Sequence, residues 1–145
     1  MGVYRRLLLV VDLTNDSLAI GRKAQALAAA LGAQVELLHV VEFTPVEPLG
    51  ETLMPAVQVE EDLLKSAQQR LTTLAANLGL AGAPCRIESG NVKAEIVRVA
   101  RERQADLIIL GSRERHGLSI LVNLTEDTVL HAAPCDVLAM RVGRS

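Results

Sequence analysis

Five short apolar stretches, separated by segments with helical spacing, restrict this chain more than any other feature. Tyr4 to Val11, Val35 to Val41 and Ala105 to Leu110 are nearly continuous apolar runs, the pattern of strands buried on both faces. Pro84 to Glu88 alternates instead. Cys85 and Ile87 are expected to point inward and Arg86 and Glu88 outward, which predicts a short edge strand that a proline opens. Asp136 to Val142 is the fifth strand.

Between the strands the spacing changes from 2 to 3.6. Ile20, Ala24, Leu27, Ala28 and Leu31 fall on one helical face, ahead of Gly32 as the expected stop. Leu63, Leu64, Ala67, Leu71, Leu74, Ala75 and Leu78 mark a longer helix that stops at Gly79. Asn91 is placed to cap a helix whose buried face is Val92, Ile96, Val99 and Ala100. A last helix runs to about His131 and ends at Pro134. Asp12 to Ser17 is a turn rich in helix-capping residues, Glu42 to Pro55 is a loop with three prolines, and Gly111 to Gly117 is a polar loop.

A strand–helix alternation of this kind predicts one α/β domain over residues 1–145, a doubly wound parallel sheet with right-handed crossovers and helices on both faces. Ligands of such sheets sit beyond the carboxyl ends of the strands, where the strand order reverses. One Tyr and one Phe leave Leu, Val, Ile and Ala to fill the core. A net charge of −2 gives no electrostatic footprint for nucleic acid or an anionic membrane, so neither is expected as a partner. With two cysteines and no secretory or membrane-spanning apolar segment, the chain is expected in a reducing cytoplasm with free thiols.

Chemistry-bearing motifs are sparse. No His/Cys/Asp/Glu set has metal-ligand spacing, no Gly-x-Ser-x-Gly elbow is present, and Gly90-Asn91-Val92-Lys93 lacks the spacing of a phosphate loop, so no catalytic residue and no metal site is assigned. His39, ending an apolar strand, reads as a buried histidine with its hydrogen bond made within the fold; His131 sits where a helix C-terminus favours it.

Three segments together resemble the universal stress protein family. They are Leu7-Leu8-Leu9-Val10-Val11-Asp12; Val35-Glu36-Leu37-Leu38-His39-Val40-Val41; and Leu107 to Leu118 followed by Val129 to Leu138. The resemblance covers essentially the whole chain and implies strand order 3-2-1-4-5, a Rossmann-like sheet whose reversal lies between the first and fourth strands. Asp12 and Gly111 follow those two strands, so the pattern and the resemblance indicate one crevice. Members that bind ATP carry Gly, two residues, Gly, about nine residues, then Gly-Ser or Gly-Thr. Here Gly111 is present, but Glu114 stands in the second glycine position and Asn123-Leu124 in the place of the pair.

The candidate nucleotide site is therefore Asp12, Val40, Gly111, Arg113 and Asn123. Asp12 has two open readings, an adenosine contact, as the resemblance implies, and a cap on its own loop or helix. Asn123 with Glu126 fits a capping box, which occupies the amides that would hold phosphate, and Glu114, Glu126 and Asp127 add like charge. The expectation is no obligatory cofactor, weak or absent ATP binding, and AMP or adenosine held no worse than ATP. The resemblance also implies a homodimer through the last strand, Val137 to Val142, whose uncharged edge between Asp136 and Arg141 needs covering. The leading function is a stress-response regulatory module that is not an enzyme. The alternative is an ATP-binding member acting as a nucleotide switch or slow hydrolase.

Overall fold

The computed structural model describes residues 2–42, 56–112, 129 and 131–141. The element order is β1 (Arg6–Val10), α1 (Ser17–Leu31), β2 (Gln34–Val41), α2 (Ala56–Asn77), β3 (Cys85–Ser89), α3 (Val92–Glu102), β4 (Leu107–Ser112) and β5 (Asp136–Arg141). All four strand pairings are parallel and the sheet order is β3-β2-β1-β4-β5, the order the resemblance implies.

Alternate residues of the central strands feed two cores. Leu7, Leu9, Leu37 and Ile109 face α1 and α2, where they meet Ile20, Ala24, Leu71 and Ala75. Leu8, Leu38, Ile108 and Leu110 face α3, where they meet Ile96, Val99 and Ala100, and the same core takes in Val129 from the last helix. Burial on both sides is the reason these strands read as unbroken apolar runs rather than as alternation.

The helix stops fall where the glycines predict them. Gly32 and Gly79 take φ values of 65° and 73°, a conformation that an L side chain resists. Asn91 caps α3 through its side-chain oxygen, which accepts from the Ala94 amide at 3.0 Å. Helix α2 begins at Ala56, seven residues before the first apolar position of its stripe, so the periodicity marks its packed part and not its start.

Several boundaries differ from the sequence reading. β1 begins at Arg6 and β4 at Leu107, later than the apolar runs suggest, while β4 continues through Gly111 and Ser112. Those two were expected to open a loop; they remain in the ladder because β5 supplies partners, Gly111 opposite Met140 and Ser112 opposite Arg141. Arg86 and Glu88 were expected to face outward on an edge strand. They face α3 instead, where Arg86 binds Glu88 and Glu102, and Arg98 binds Glu88, Glu95 and Glu102, all at 2.7–3.1 Å. A doubly wound sheet covers both faces even at its edge, and paired charges take the place of apolar contacts there. The three-proline loop at 43–55, most of the last helix and Val142 lie outside the described residues. His131 and Ala132 are its last helical residues.

Candidate functional site

The carboxyl end of the sheet divides at its centre. β1 pairs with β4 only as far as Leu9 opposite Ile109, and with β2 as far as Val10 opposite Leu38. Beyond that point β1 turns into α1, while β4 continues alongside β5 to Ser112. Strand order reverses at this point, which is where doubly wound sheets hold their ligands. Of the five candidate residues, the fold brings Asp12, Val40 and Gly111 to this end of the sheet. Arg113 and Asn123 lie outside the described residues, as do Glu114, Glu126 and Asp127.

Asp12 organises its own loop. Its Oδ1 accepts from the Thr14 amide at 3.0 Å, from Thr14 Oγ1 at 2.7 Å and from Ser17 Oγ at 3.1 Å. The first of these is an Asx turn, and the last reaches the first residue of α1, which is buried. The structural one of the two readings of Asp12 is thus realised. Leu13, the next residue, has φ 59°, a left-handed value unusual for a branched side chain, and its side chain is buried against the α1/α2 core.

The loop is held from both sides. His39, half-buried on β2, lies with Nδ1 2.7 Å from the Val11 carbonyl oxygen. A carbonyl only accepts, so Nδ1 carries the hydrogen, and protonation at Nε2 leaves the bond intact. The expected internal partner is present, but the ring is half-buried rather than buried. From the other side, an Arg70 guanidinium nitrogen on α2 donates to the Leu13 carbonyl at 2.5 Å. Sequence reasoning passed over Arg70, because a polar residue on a helix carries no signal of a backbone partner 57 positions away.

A cavity of about 800 Å³ lies at the opposite, amino-terminal end of the sheet, lined by Arg6, Gln34, Glu36, Ala83 and Arg103 among others. Glu36 Oε1 accepts from Arg103 Nε at 2.8 Å, and Oε2 is enclosed with no hydrogen-bond partner among the described residues. The carboxylate there already serves an ion pair, and the parting of strands that makes a ligand crevice is at the other end, so the candidate site is the carboxyl-end crevice. Among the described residues no group of three or more His, Cys, Asp or Glu could hold a metal ion, and no helix is long and apolar enough to cross a membrane. Cys85 and Cys135 are free and lie by opposite sheet edges, β3 and β5. Burial raises both thiols above their ordinary value, helped by Glu36 for Cys85 and by Asp136 for Cys135, so neither is an activated nucleophile.

Comparison with known proteins bears on the family and the fold of the chain. Residues 3–141 match the universal stress protein family. Universal stress protein A homolog 2 of Coxiella burnetii is 34% identical over 143 residues, covering 98% of each chain. Among solved structures, a universal stress protein in complex with cAMP superposes with a TM-score of 0.72 at 21% identity, covering 98% of this chain and 100% of its own. The universal stress protein from Archaeoglobus fulgidus in complex with dAMP gives 0.61 at 19%, covering 94% and 98%. The likeness to the solved structures is one of fold; the family match and the Coxiella relative extend it to sequence along nearly the whole chain. The chain belongs to the universal stress protein family.

Proposed function

We propose that this protein is a non-enzymatic regulatory module of the stress response. In this reading it acts as a homodimer, and its crevice accepts adenosine or AMP no worse than ATP. The observation that carries the reading is the sequence after β4: Gly111 is followed by Glu114 and by Asn123-Leu124, in place of the second glycine and the Gly-Ser pair of ATP-binding members. Without those glycines fewer backbone amides can close on a triphosphate, and Glu114, Glu126 and Asp127 oppose its charge. The nucleoside end of the crevice keeps Asp12 and Val40. The two fold relatives solved with cAMP and dAMP support a monophosphate as the nucleotide form to test.

Calorimetry with AMP and ATP at matched magnesium decides the matter. An AMP affinity equal to or above that for ATP is expected. A micromolar ATP affinity well above that for AMP would establish the alternative, an ATP-dependent switch, with Gly111, Arg113 and Asn123 as its contacts.

The proposed dimer uses β5, which forms one edge of the sheet. Leu138 and Met140 pack on one core and Val137 on the other, leaving Ala139 as the exposed apolar position in the strand. Light scattering should report a dimer at micromolar concentration, and Ala139→Lys should shift it to monomer; a dimer unaffected by Ala139→Lys would place the interface elsewhere.

A further inference from the structure

We propose that Arg70 is a positioning residue of the crevice: by holding the Leu13 carbonyl it keeps Leu13 left-handed and fixes the direction in which the Asp12 turn faces. For nucleotide affinity the proposal rests on the reading above; for the loop itself it does not.

Three observations carry it. Leu13 sits at φ 59°, where a branched residue persists only if its surroundings hold it. Its side chain is packed in the core, which fixes where Leu13 lies but not which way its peptide group faces. Its carbonyl receives the Arg70 guanidinium, a charged donor whose bond is stronger than that of a neutral one. On the other side of Asp12, His39 holds the Val11 carbonyl. The carboxylate of Asp12 therefore projects from a peptide segment whose two flanking carbonyls are gripped by side chains from β2 and from α2.

The local geometry gives Arg70 a part that neighbouring residues do not share. A cleft of about 350 Å³ lies between the loop and α2, lined by Leu13, Thr14, Ser17, Gln69, Arg70 and Thr73. Arg70 reaches across it to the loop. Without this bond the Leu13 peptide can rotate to relieve the left-handed conformation, and the Asx turn of Asp12 with Thr14 and Ser17 rotates with it. The consequence for function is that α2, which makes no other assigned contribution to the site, sets the shape of the crevice wall.

The test compares Arg70→Met, Arg70→Lys and, as a control that removes an exposed cation from the same helix, Lys65→Met. Hydrogen exchange of the ligand-free protein over residues 11–18 is read beside AMP affinity and melting temperature. Arg70→Met should speed exchange in that segment and leave α3 unchanged. It should also weaken AMP about tenfold, the factor that 1.4 kcal/mol represents. Arg70→Lys, which keeps one charged donor, should recover most of both effects, and Lys65→Met should produce neither.

Unchanged exchange over 11–18 in Arg70→Met would overturn the proposal. So would a measurable AMP affinity that is equal in the wild type and all variants, or an equal loss in Lys65→Met, which would reduce the effect to net charge. Faster exchange in Arg70→Met, in a protein that binds neither AMP nor ATP, would uphold the positioning role and reject the nucleotide reading instead.

Discussion

The loop after β1 and the seam between β3 and α3 are both rich in polar contacts, but they rest on different physics. In the loop, each side chain is matched to a backbone group or a neighbouring hydroxyl: Asp12 to Thr14 and Ser17, His39 to Val11, Arg70 to Leu13. Backbone positions are fixed by these bonds: those of Ser17, His39 and Arg70 are partly buried, and those of Thr14 to Asp12 are exposed. In the seam, Arg86, Glu88, Glu95, Arg98 and Glu102 bind one another at the rim of the sheet, with side chains between 19% and 49% exposed. Such pairs are screened by solvent and salt, and the median exposed pair contributes little. The difference teaches that the number of polar contacts is a poor guide to what a region does. The loop's few bonds determine a shape; the seam's many bonds cover an edge.

The largest expected effect is in the loop. Asp12→Ala removes an acceptor shared by three donors and should destabilise the protein by about 2 kcal/mol, measured as a urea midpoint shift. The loss should persist at 1 M salt, where the screening length is about 3 Å. A loss that disappears in salt would mean that the loop is held by charge as the seam is.

His39→Leu comes next. It leaves the Val11 carbonyl without its 2.7 Å partner and should cost about 1–2 kcal/mol. A cost below about 0.5 kcal/mol would show that water takes the place of the ring at the Val11 carbonyl.

The smallest effect belongs to the seam. Glu95→Gln should cost less than about 1 kcal/mol at low salt and close to nothing at 1 M. The bond to Arg98 holds the Glu95 carboxyl below its ordinary value of 4.5. A depressed carboxyl binds its proton less readily in the folded state than in the unfolded one. Its stabilisation is therefore complete above the ordinary value and lost as pH falls through the lower, folded one. The acid limb of the stability profile should flatten slightly in Glu95→Gln. A cost above 2 kcal/mol, insensitive to salt, would break the comparison by showing that the seam positions structure as the loop does.

Much of the fold was legible before any coordinates. Strands buried on both faces announce themselves as unbroken apolar runs, and Gly32, Gly79 and Asn91 mark helix ends through local backbone chemistry, so element order and fold class follow from short-range rules. The sequence alone also supplied the resemblance to the universal stress protein family, and with it the strand order and the changed residues at 114, 123 and 124. The tertiary structure decided what depends on partners distant in sequence. β4 extends to Ser112 because β5 lies beside it, and Arg86 and Glu88 turn from solvent to α3 because a helix crosses that edge. Asp12 is a loop anchor because Ser17 and Thr14 are folded onto it. Leu13 and Gln104 adopt left-handed backbone without being glycine, which no propensity scale would place there. Arg70 reaches the Leu13 carbonyl across 57 positions of sequence. Periodicity and capping are written in neighbouring residues and can be read there, whereas a hydrogen bond between distant residues exists only once the packing of the sheet and helices has set the distance between them.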